Sequence, residues 1–317
     1  MGSLKAENSL ISMRFGTYHI IALCALLLLG SHPGVVAQQT PSFGAYNYDP
    51  FMINPAYAGM AAGSVISLSH QRYTRNIEGT PQSSSVSFHT PLSADRMGVG
   101  ISVMDDRIGV TSATSATVAY SYKLFFDHKP NRAYWQVYDQ NVLSFGMTAG
   151  VKRLYENLAE LGVAGDPTFA DNLAETIPVI GAGLLYNRVG FYLGVSMPNL
   201  LGNRILSRND ISLSSPIYGY FGYRFFTDIY NENMITPSVL VKYERGAPAQ
   251  IDVNVSASFK SRFEVGTGFR SSSSLNFLVG FYPIEQLRVI YHYSIGFKNP
   301  VLGNNHGLAV SYAFGYD

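Results

Sequence analysis

Apolar and polar residues alternate strictly along residues 251–259, which have the sequence IDVNVSASF. Successive side chains of a β-strand point to opposite faces, so this run predicts a strand with one apolar and one polar face. A second run of the same period follows over residues 262–270. Only Lys260 and Ser261 separate the two runs, and a two-residue connection between strands predicts a β-hairpin.

The same alternation recurs from Gly63 onward and predicts about fourteen strands, between twelve and sixteen, each about 10 residues long as in membrane barrels. The predicted strands are residues 65–70, 84–90, 97–104, 116–126, 143–152, a hairpin over 179–197 with its turn at Asn187-Arg188, 217–226, 236–243, 251–259, 262–270, 275–281, 287–295 and 308–316. One soluble core could hardly bury so many apolar faces. A transmembrane antiparallel β-barrel, with lipid outside and a polar lumen, accounts for both faces. The predicted fold is therefore all-β.

The lengths of the connections agree with such a barrel. If the N-terminus lies in the periplasm, the short predicted turns fall on the periplasmic side, among them Pro283–Gln286. The long stretches 154–176 and 198–215 then fall outside the cell, as in outer-membrane barrels. The connection 127–141 is an exception, because it is long and would be periplasmic.

Residues 1–37 have the pattern of a signal peptide. Arg14 precedes an apolar core over residues 20–29, and small residues precede an expected cut before Gln38. Cys24 is the single cysteine and lies within that core, so the mature chain is expected to have no thiol chemistry. Export without a later apolar span leaves a secreted or periplasmic globule, or an outer-membrane barrel. The hairpin pattern favours the barrel.

Residues 38–62 form a leader without a clean period, ahead of the predicted barrel domain at 63–317. Its prolines Pro41, Pro50 and Pro55 oppose regular strand pairing. Its aromatic residues are Phe43, Tyr46, Tyr48, Phe51 and Tyr57. A segment this apolar is expected to pack against or inside the barrel, as a plug or as a periplasmic docking segment.

Charged residues make up only 14% of the chain, against roughly 25% in an average soluble domain. The net charge of +1 gives no indication of a nucleic-acid partner. Several charges fall on predicted polar faces, namely Lys123, Lys152, Lys242, Asp252, Arg262, Glu264, Arg270 and Arg288. They either form a charged lumen that grips a peptide or an ion, or neutralise one another in pairs. The presence of both signs favours the pairs.

The sequence offers no convincing catalytic group. His89 lies near Ser85 and Ser87, and His292 near Ser294, but serine occurs on nearly every polar face. A Ser–His site also needs a third group that orients the imidazole. The histidines are scattered without ligand spacing. We therefore expect no enzyme, no metal and no cofactor.

Several short sequence motifs of the mature chain resemble those of the PorP/SprF family of type IX secretion proteins. The motifs are NPAYAG at 54–59, YLGVSMPNL at 192–200, PSVL at 237–240, APAQID at 247–252 and GFR at 268–270. The resemblance implies an integral outer-membrane component of type IX secretion, related to gliding motility and adhesin export. It also implies protein partners, either other secretion components or the C-terminal domains of secreted adhesins.

Three hypotheses of function follow. The first is a secretion barrel that binds protein partners as well as the lipid bilayer. Its partner-binding or plug residues are expected to be Phe43, Tyr46, Tyr48, Asn54, Pro55, Ala56, Tyr57 and Gly59. The alternative is an outer-membrane transporter or porin for small, hydrophobic molecules, suggested by the aromatic leader. The third, a barrel hydrolase, is remote.

Overall fold

The computed structural model describes residues 46, 48–74, 79–92, 95–127, 141–161, 172–202, 215–227, 232–260, 262–271, 273–297 and 303–315. The predicted signal peptide, Phe43 and most of the connection 127–141 lie outside these residues. The barrel is formed by the compact unit of residues 39–245 and 249–317. Within the described ranges, no helix is long and apolar enough to cross a membrane.

The strands are β1 (Ser64–Tyr73), β2 (Gln82–Leu92), β3 (Met97–Ile108), β4 (Thr111–Asp127), β5 (Asn141–Glu156), β6 (Leu173–Arg188), β7 (Phe191–Met197), β8 (Ile217–Tyr223), β9 (Phe225–Phe226), β10 (Met234–Tyr243), β11 (Gln250–Phe259), β12 (Phe263–Arg270), β13 (Ser274–Ile284), β14 (Leu287–Gly296) and β15 (Asn305–Phe314). β8 and β9 are separated by Arg224 alone, and both pair with β10. They form one interrupted strand of the wall. The barrel therefore has fourteen strands, as predicted.

The sheet is antiparallel and closed. Neighbouring strands pair in chain order, β10 pairs with β11, and β1 pairs with β15 from Ser64 opposite Phe314 to Tyr73 opposite Asn305. Closure leaves no open sheet edge, which hydrocarbon does not tolerate because unpaired backbone groups find no water there. The predicted transmembrane barrel is confirmed.

The two faces of the strands lie as the alternation predicts. On β11, Val253 and Val255 are 50% and 44% exposed on the outside, whereas Asp252 is fully buried and Asn254 nearly so. Apolar residues outside and polar residues inside are the reverse of a soluble protein, and suit lipid outside the barrel. The polar face of β11 therefore lines the lumen.

Three turns differ in position from the sequence prediction. The turn between β6 and β7 is at Val189-Gly190, two residues later than predicted, and that between β13 and β14 is at Glu285-Gln286. β11 and β12 are joined by three residues, 260–262. Lys260 has a left-handed backbone (φ 49°), and Arg262 donates its N–H to the carbonyl oxygen of Phe259 at 2.9 Å. This bond places Arg262 in the turn.

Three strands are much longer than the predicted length. β4 has 17 residues, and β5 and β6 have 16 each. β7 and β8 have only 7 residues each, although β7 lies next to β6 in the wall and β8 lies next to β7. We call the end of the barrel at which β1 begins the near end, and the opposite end the far end. Most of the residues that the prediction missed, 111–115 of β4, 153–156 of β5 and 173–178 of β6, lie at the far end.

Candidate functional site

The segment that precedes β1 lies in the lumen, against inward-facing side chains of the wall. This lumen segment (residues 46 and 48–62) forms two 3-10 turns, Pro50–Met52 and Pro55–Tyr57. Proline suits the first position of such a turn, because its φ is already set and its missing N–H is not needed there. Asn54 caps the second turn, since its Oδ1 accepts a hydrogen bond from Ala56 N–H at 2.9 Å. The sequence thus folds here into compact turns instead of a strand.

Four buried side chains of the wall donate hydrogen bonds to main-chain carbonyl oxygens of the lumen segment. The pairs, donor first, are Ser196 with Ile53, Ser144 with Ala56, Ser121 with Ala58 and Lys123 with Gly59. The three serine bonds are each 2.7 Å long. A buried hydroxyl or ammonium is costly without a partner, so each bond satisfies a wall group as well as a carbonyl. The lumen segment is therefore held by its backbone.

The side chain of Asn54 is fully buried in the lumen. Its Nδ2 donates to the carbonyl oxygen of Leu184 on β6 at 3.0 Å and to the hydroxyl of Tyr220 on β8 at 2.6 Å. With the bond to Ala56 N–H, both amide atoms of Asn54 have partners. An amide supplies a donor and an acceptor together, which a carboxylate or a methyl group cannot do.

Three tyrosines of the lumen segment contact strands from different parts of the wall. The contacts are Asn254 Nδ2 to the Tyr46 hydroxyl at 2.6 Å, the Tyr48 hydroxyl with His292 Nδ1 at 3.3 Å, and Tyr57 stacked on Tyr220 with 6.2 Å between ring centroids. Burial raises the pKa of all three phenols, so they stay neutral. Tyr220 and Asn254 lie on β8 and β11, and His292 lies on β14.

Asp49 is the one carboxylate among the described residues of the lumen segment. Its Oδ2 accepts a hydrogen bond from the hydroxyl of Ser87 on β2 at 2.6 Å. Burial raises the pKa of Asp49 to about 6, although bonds from Ser87 and from the backbone of Phe51 oppose the shift. Desolvation favours the neutral acid, whereas hydrogen bonds favour the carboxylate. Asp49 therefore changes its protonation state in the mildly acidic range.

Glycines of the wall give the lumen segment the room it occupies. A Cβ atom at Gly98 would collide with the carbonyl of Ala58, and one at Gly146 would collide with the backbone of Ala56. A Cβ atom at Gly183 would collide with the side chain of Asn54. Glycine allows this close approach of two backbones because it has no side chain. The wall is thus shaped to the main chain of the segment.

Most of the predicted lumen charges form ion pairs. The pairs are Arg270 with Asp252 at 2.8 Å, Arg288 with Glu264 at 2.6 Å, and Lys242 with Glu244 at 3.7 Å. The guanidinium of Arg270 reaches both carboxylate oxygens of Asp252, through Nε as well as Nη2. A buried charge of this kind is tolerated only with a partner.

The other three predicted charges have different positions. Lys123 is almost fully buried and binds the Gly59 carbonyl. Lys152 is half-buried on the inward face of β5. Arg262 was expected on the inward face of β12, but it lies exposed in the turn before that strand, because the connection has three residues. That placement of Arg262 in the lumen was wrong.

The predicted leader residues all lie in the lumen, except Phe43, which lies outside the described residues. Sequence reasoning missed the wall groups that bind them: Ser87, Ser121, Ser144, Ser196, Leu184, Tyr220, Asn254 and His292. It also missed Asp49. The serines resemble every other serine on a polar face, so no local pattern distinguishes them. Their roles depend on contacts between residues up to 143 positions apart.

The arrangement offers little for catalysis. Ser87 donates to Asp49 instead of to His89, and His89 Nδ1 accepts from the N–H of Gly59 at 3.3 Å. No group of three or more histidine, cysteine, aspartate or glutamate side chains in the described ranges is placed to hold a metal ion. The chemistry of the lumen is hydrogen bonding and packing around a peptide backbone.

A closed antiparallel barrel with an apolar exterior and a polar lumen defines an integral outer-membrane protein. The sequence model of one family, the type IX secretion system membrane protein PorP/SprF, matches residues 35–313. The chain belongs to this family, which confirms the resemblance, and the protein is an outer-membrane barrel of type IX secretion. The family and the fold are non-enzymatic in kind. No protein of curated function matches the chain.

Solved structures with a similar fold are outer-membrane barrels. The outer membrane protein Omp33 of Acinetobacter baumannii has 9% identity and a TM-score of 0.46, over 81% of this chain and 100% of that one. The P. putida toluene transporter TodX has 9% identity and a TM-score of 0.47, over 86% of this chain and 95% of that one. The KdgM porin has 9% identity and a TM-score of 0.38, over 79% and 99%. Similarity at this level carries no argument about function.

Proposed function

We propose that this protein is a partner-binding component of the type IX secretion machinery whose lumen is closed by its own lumen segment. Its partners are other secretion components or the C-terminal domains of secreted adhesins, as the family implies. The observation that carries the closure is the set of hydrogen bonds from strands all round the barrel. These strands are β2, β4, β5, β6, β7, β8, β11 and β14. A segment bonded to so many strands bridges the lumen.

The alternative, a transporter for small hydrophobic molecules, was suggested by the aromatic residues of the leader. In the lumen those rings pack on the wall: Tyr48 lies against His292, Phe51 against His89 and Tyr57 against Tyr220. Rings that are engaged in this way stabilise the segment. They favour a closed barrel over one that binds a solute.

The test is deletion of residues 46–58, which removes every wall-bonded residue of the segment except Gly59 and leaves β1 intact. Closure of the sheet does not involve these residues, so the variant is expected to remain a heat-modifiable barrel. Its ion conductance in planar bilayers is expected to rise, because the groups that bridge the lumen are gone. Crosslinked pull-downs from native membranes are expected to lose their protein partners. A folded variant with unchanged conductance and unchanged partners would refute the proposed function.

The full chain separates the two functions in the same measurement. A partner-binding barrel closed by its own segment is expected to conduct poorly and to co-purify with protein. Steady conductance by the full chain, with no co-purifying protein, would favour the transporter.

A further inference from the structure

We propose that the wall around residues 53–59 is a peptide-binding site that the chain's own segment occupies. Its other ligands would be protein segments with small apolar side chains and one asparagine at the position of Asn54. This inference rests on the proposed function and deepens it, because it names the chemical class of a partner segment.

The wall recognises a backbone. Three serines and one lysine, all buried, donate to four carbonyl oxygens within seven residues of the lumen segment. Filling a barrel requires only packed side chains, and buried serines usually bond to neighbouring strands, as Ser67 does to Ser311 and Ser69 to Ser85. Carbonyl oxygens are common to every peptide. Donors aimed at them therefore define a site for a polypeptide as such.

The same wall selects for side-chain size. Ala56 and Ala58 are fully buried, and Gly98 and Gly146 lie directly behind their backbone. Ala56 packs in a cluster with Val142 and Leu185, and Ala58 packs with Ala119. A larger side chain at either alanine would have to displace these packed neighbours, which costs strain. Ligands are therefore limited to alanine, glycine or serine at these two positions.

The site recognises asparagine through the hydrogen bonds of its side-chain amide. The two donor bonds of Asn54 go to the Leu184 carbonyl and to the Tyr220 hydroxyl, while its oxygen stays within the segment, on Ala56 N–H. Replacing the amide by a carboxylate of the same shape removes both donor bonds and places a negative charge against a carbonyl oxygen. A site built to bond a polar group rejects an analogue that lacks it more strongly than it rejects a change of size.

Exchange of the segment leaves the barrel intact. In the described part of the chain, none of residues 48–62 belongs to the sheet, and the link from Gly59 to β1 is residues 60–63. Apart from the main-chain carbonyl of Leu184, the wall groups contact the segment through side chains, and their own backbones remain paired in the sheet. The segment can therefore leave its site without unpairing a strand.

The experiment measures binding of a fluorescent peptide of residues 46–60 to the full-length protein in lipid nanodiscs. The tethered segment competes at an effective concentration on the order of mM, so the wild-type protein is expected to bind the peptide weakly. Asn54→Ala in the protein weakens the tethered competitor. The peptide, which keeps its asparagine, is then expected to bind about tenfold tighter or more, a change of about 1.4 kcal/mol.

Two matched controls make the result specific. A peptide carrying Asn54→Asp has the same shape and is expected not to bind the Asn54→Ala protein. Asn276→Ala in the protein, on β13, removes an amide whose oxygen accepts a hydrogen bond from Ser274 of the wall. That variant is expected to bind the wild-type peptide as weakly as the unmodified protein does. A photoreactive group at Tyr57 of the peptide is expected to crosslink to β8, next to Tyr220.

The outcomes separate this inference from the proposed function. Equal binding to the Asn54→Ala and Asn276→Ala proteins, or equal binding of the two peptides, would overturn the inference. Raised conductance of the Asn54→Ala protein without peptide binding would also overturn it, yet would leave closure by the lumen segment standing. Tight binding of the wild-type peptide alone, with the crosslink to β8, supports the site.

Discussion

The serines that bind the lumen segment give the sharpest test of how it is held. Ser121→Ala, Ser144→Ala and Ser196→Ala together remove three of the four wall donors to its carbonyl oxygens. Each substitution removes a bond between buried groups and leaves a buried carbonyl unpaired, at about 1–2 kcal/mol. Release of the segment breaks all three bonds together, so the sum of the three losses, about 3–6 kcal/mol, is the upper bound of the effect in favour of release.

Hydrogen–deuterium exchange of the segment's own amides measures this release directly. Local opening controls the exchange of protected amides, and about 1.4 kcal/mol corresponds to a tenfold change in the opening equilibrium. Amides of residues 54–60 are therefore expected to exchange about 100-fold faster or more in the triple variant. Strand amides of β11 and β12 are expected to exchange at the wild-type rate, because their ladder is unchanged.

The matched control is Ser67→Ala combined with Ser85→Ala. These two serines are also buried in the lumen, but they bond to Ser311 and Ser69 of the wall. Exchange of the lumen segment is expected to stay near the wild-type rate in this variant. If the triple variant and the control accelerate the segment equally, or if the strands accelerate with it, the serines do not hold the segment specifically.

Three further predictions concern the wall and the lumen. Val255→Arg, on the lipid face, is expected to lower the free energy of unfolding by about 2–4 kcal/mol, measured by refolding into vesicles. Ser256→Arg, on the inward face, is expected to cost less. A reversed order would contradict the assignment of the lipid and lumen faces of β11. Asp252→Asn removes the negative charge that pairs with the buried Arg270, so urea unfolding should report a loss of about 3–5 kcal/mol. No loss would show that the charge of Asp252 does not stabilise the barrel. The raised pKa of Asp49 means that the folded protein binds the proton more tightly than the unfolded chain does. The free energy of unfolding is therefore expected to fall as the pH rises from about 4 to about 6. Asp49→Asn should abolish that slope.

The lipid and lumen faces of β11 and β12 could be predicted because apolar and polar residues alternate clearly along both strands. Val253 and Val255 alternate with Asp252 and Asn254, and only one register of a two-faced strand buries the polar set in the lumen. The start of β4 offers no such contrast. Residues 111–115 are threonine, serine and alanine only. The alternation therefore begins late, and the prediction missed these first five residues of β4.

The lumen site could be predicted only as a segment. Three prolines and five aromatics indicate that residues 38–62 avoid the sheet and bury surface, and this is a local property. Which wall groups bind the segment depends on where each strand lies around the barrel. Ser121 and Ser67 have similar surroundings in sequence, yet one binds the segment and the other binds β15. Closure of the sheet decides between them.

The seam between β1 and β15 sets an order of assembly. The first strand of the barrel pairs with the last along all ten of its residues, so the wall stays open on one side until the C-terminal strand has been delivered. The lumen segment precedes β1 and is exported ahead of every strand. It can therefore be laid against β4, β5 and β7 sideways, while the sheet is still a curved strip. Pairing of the seam then encloses a segment already in place, and no chain has to pass through a finished pore.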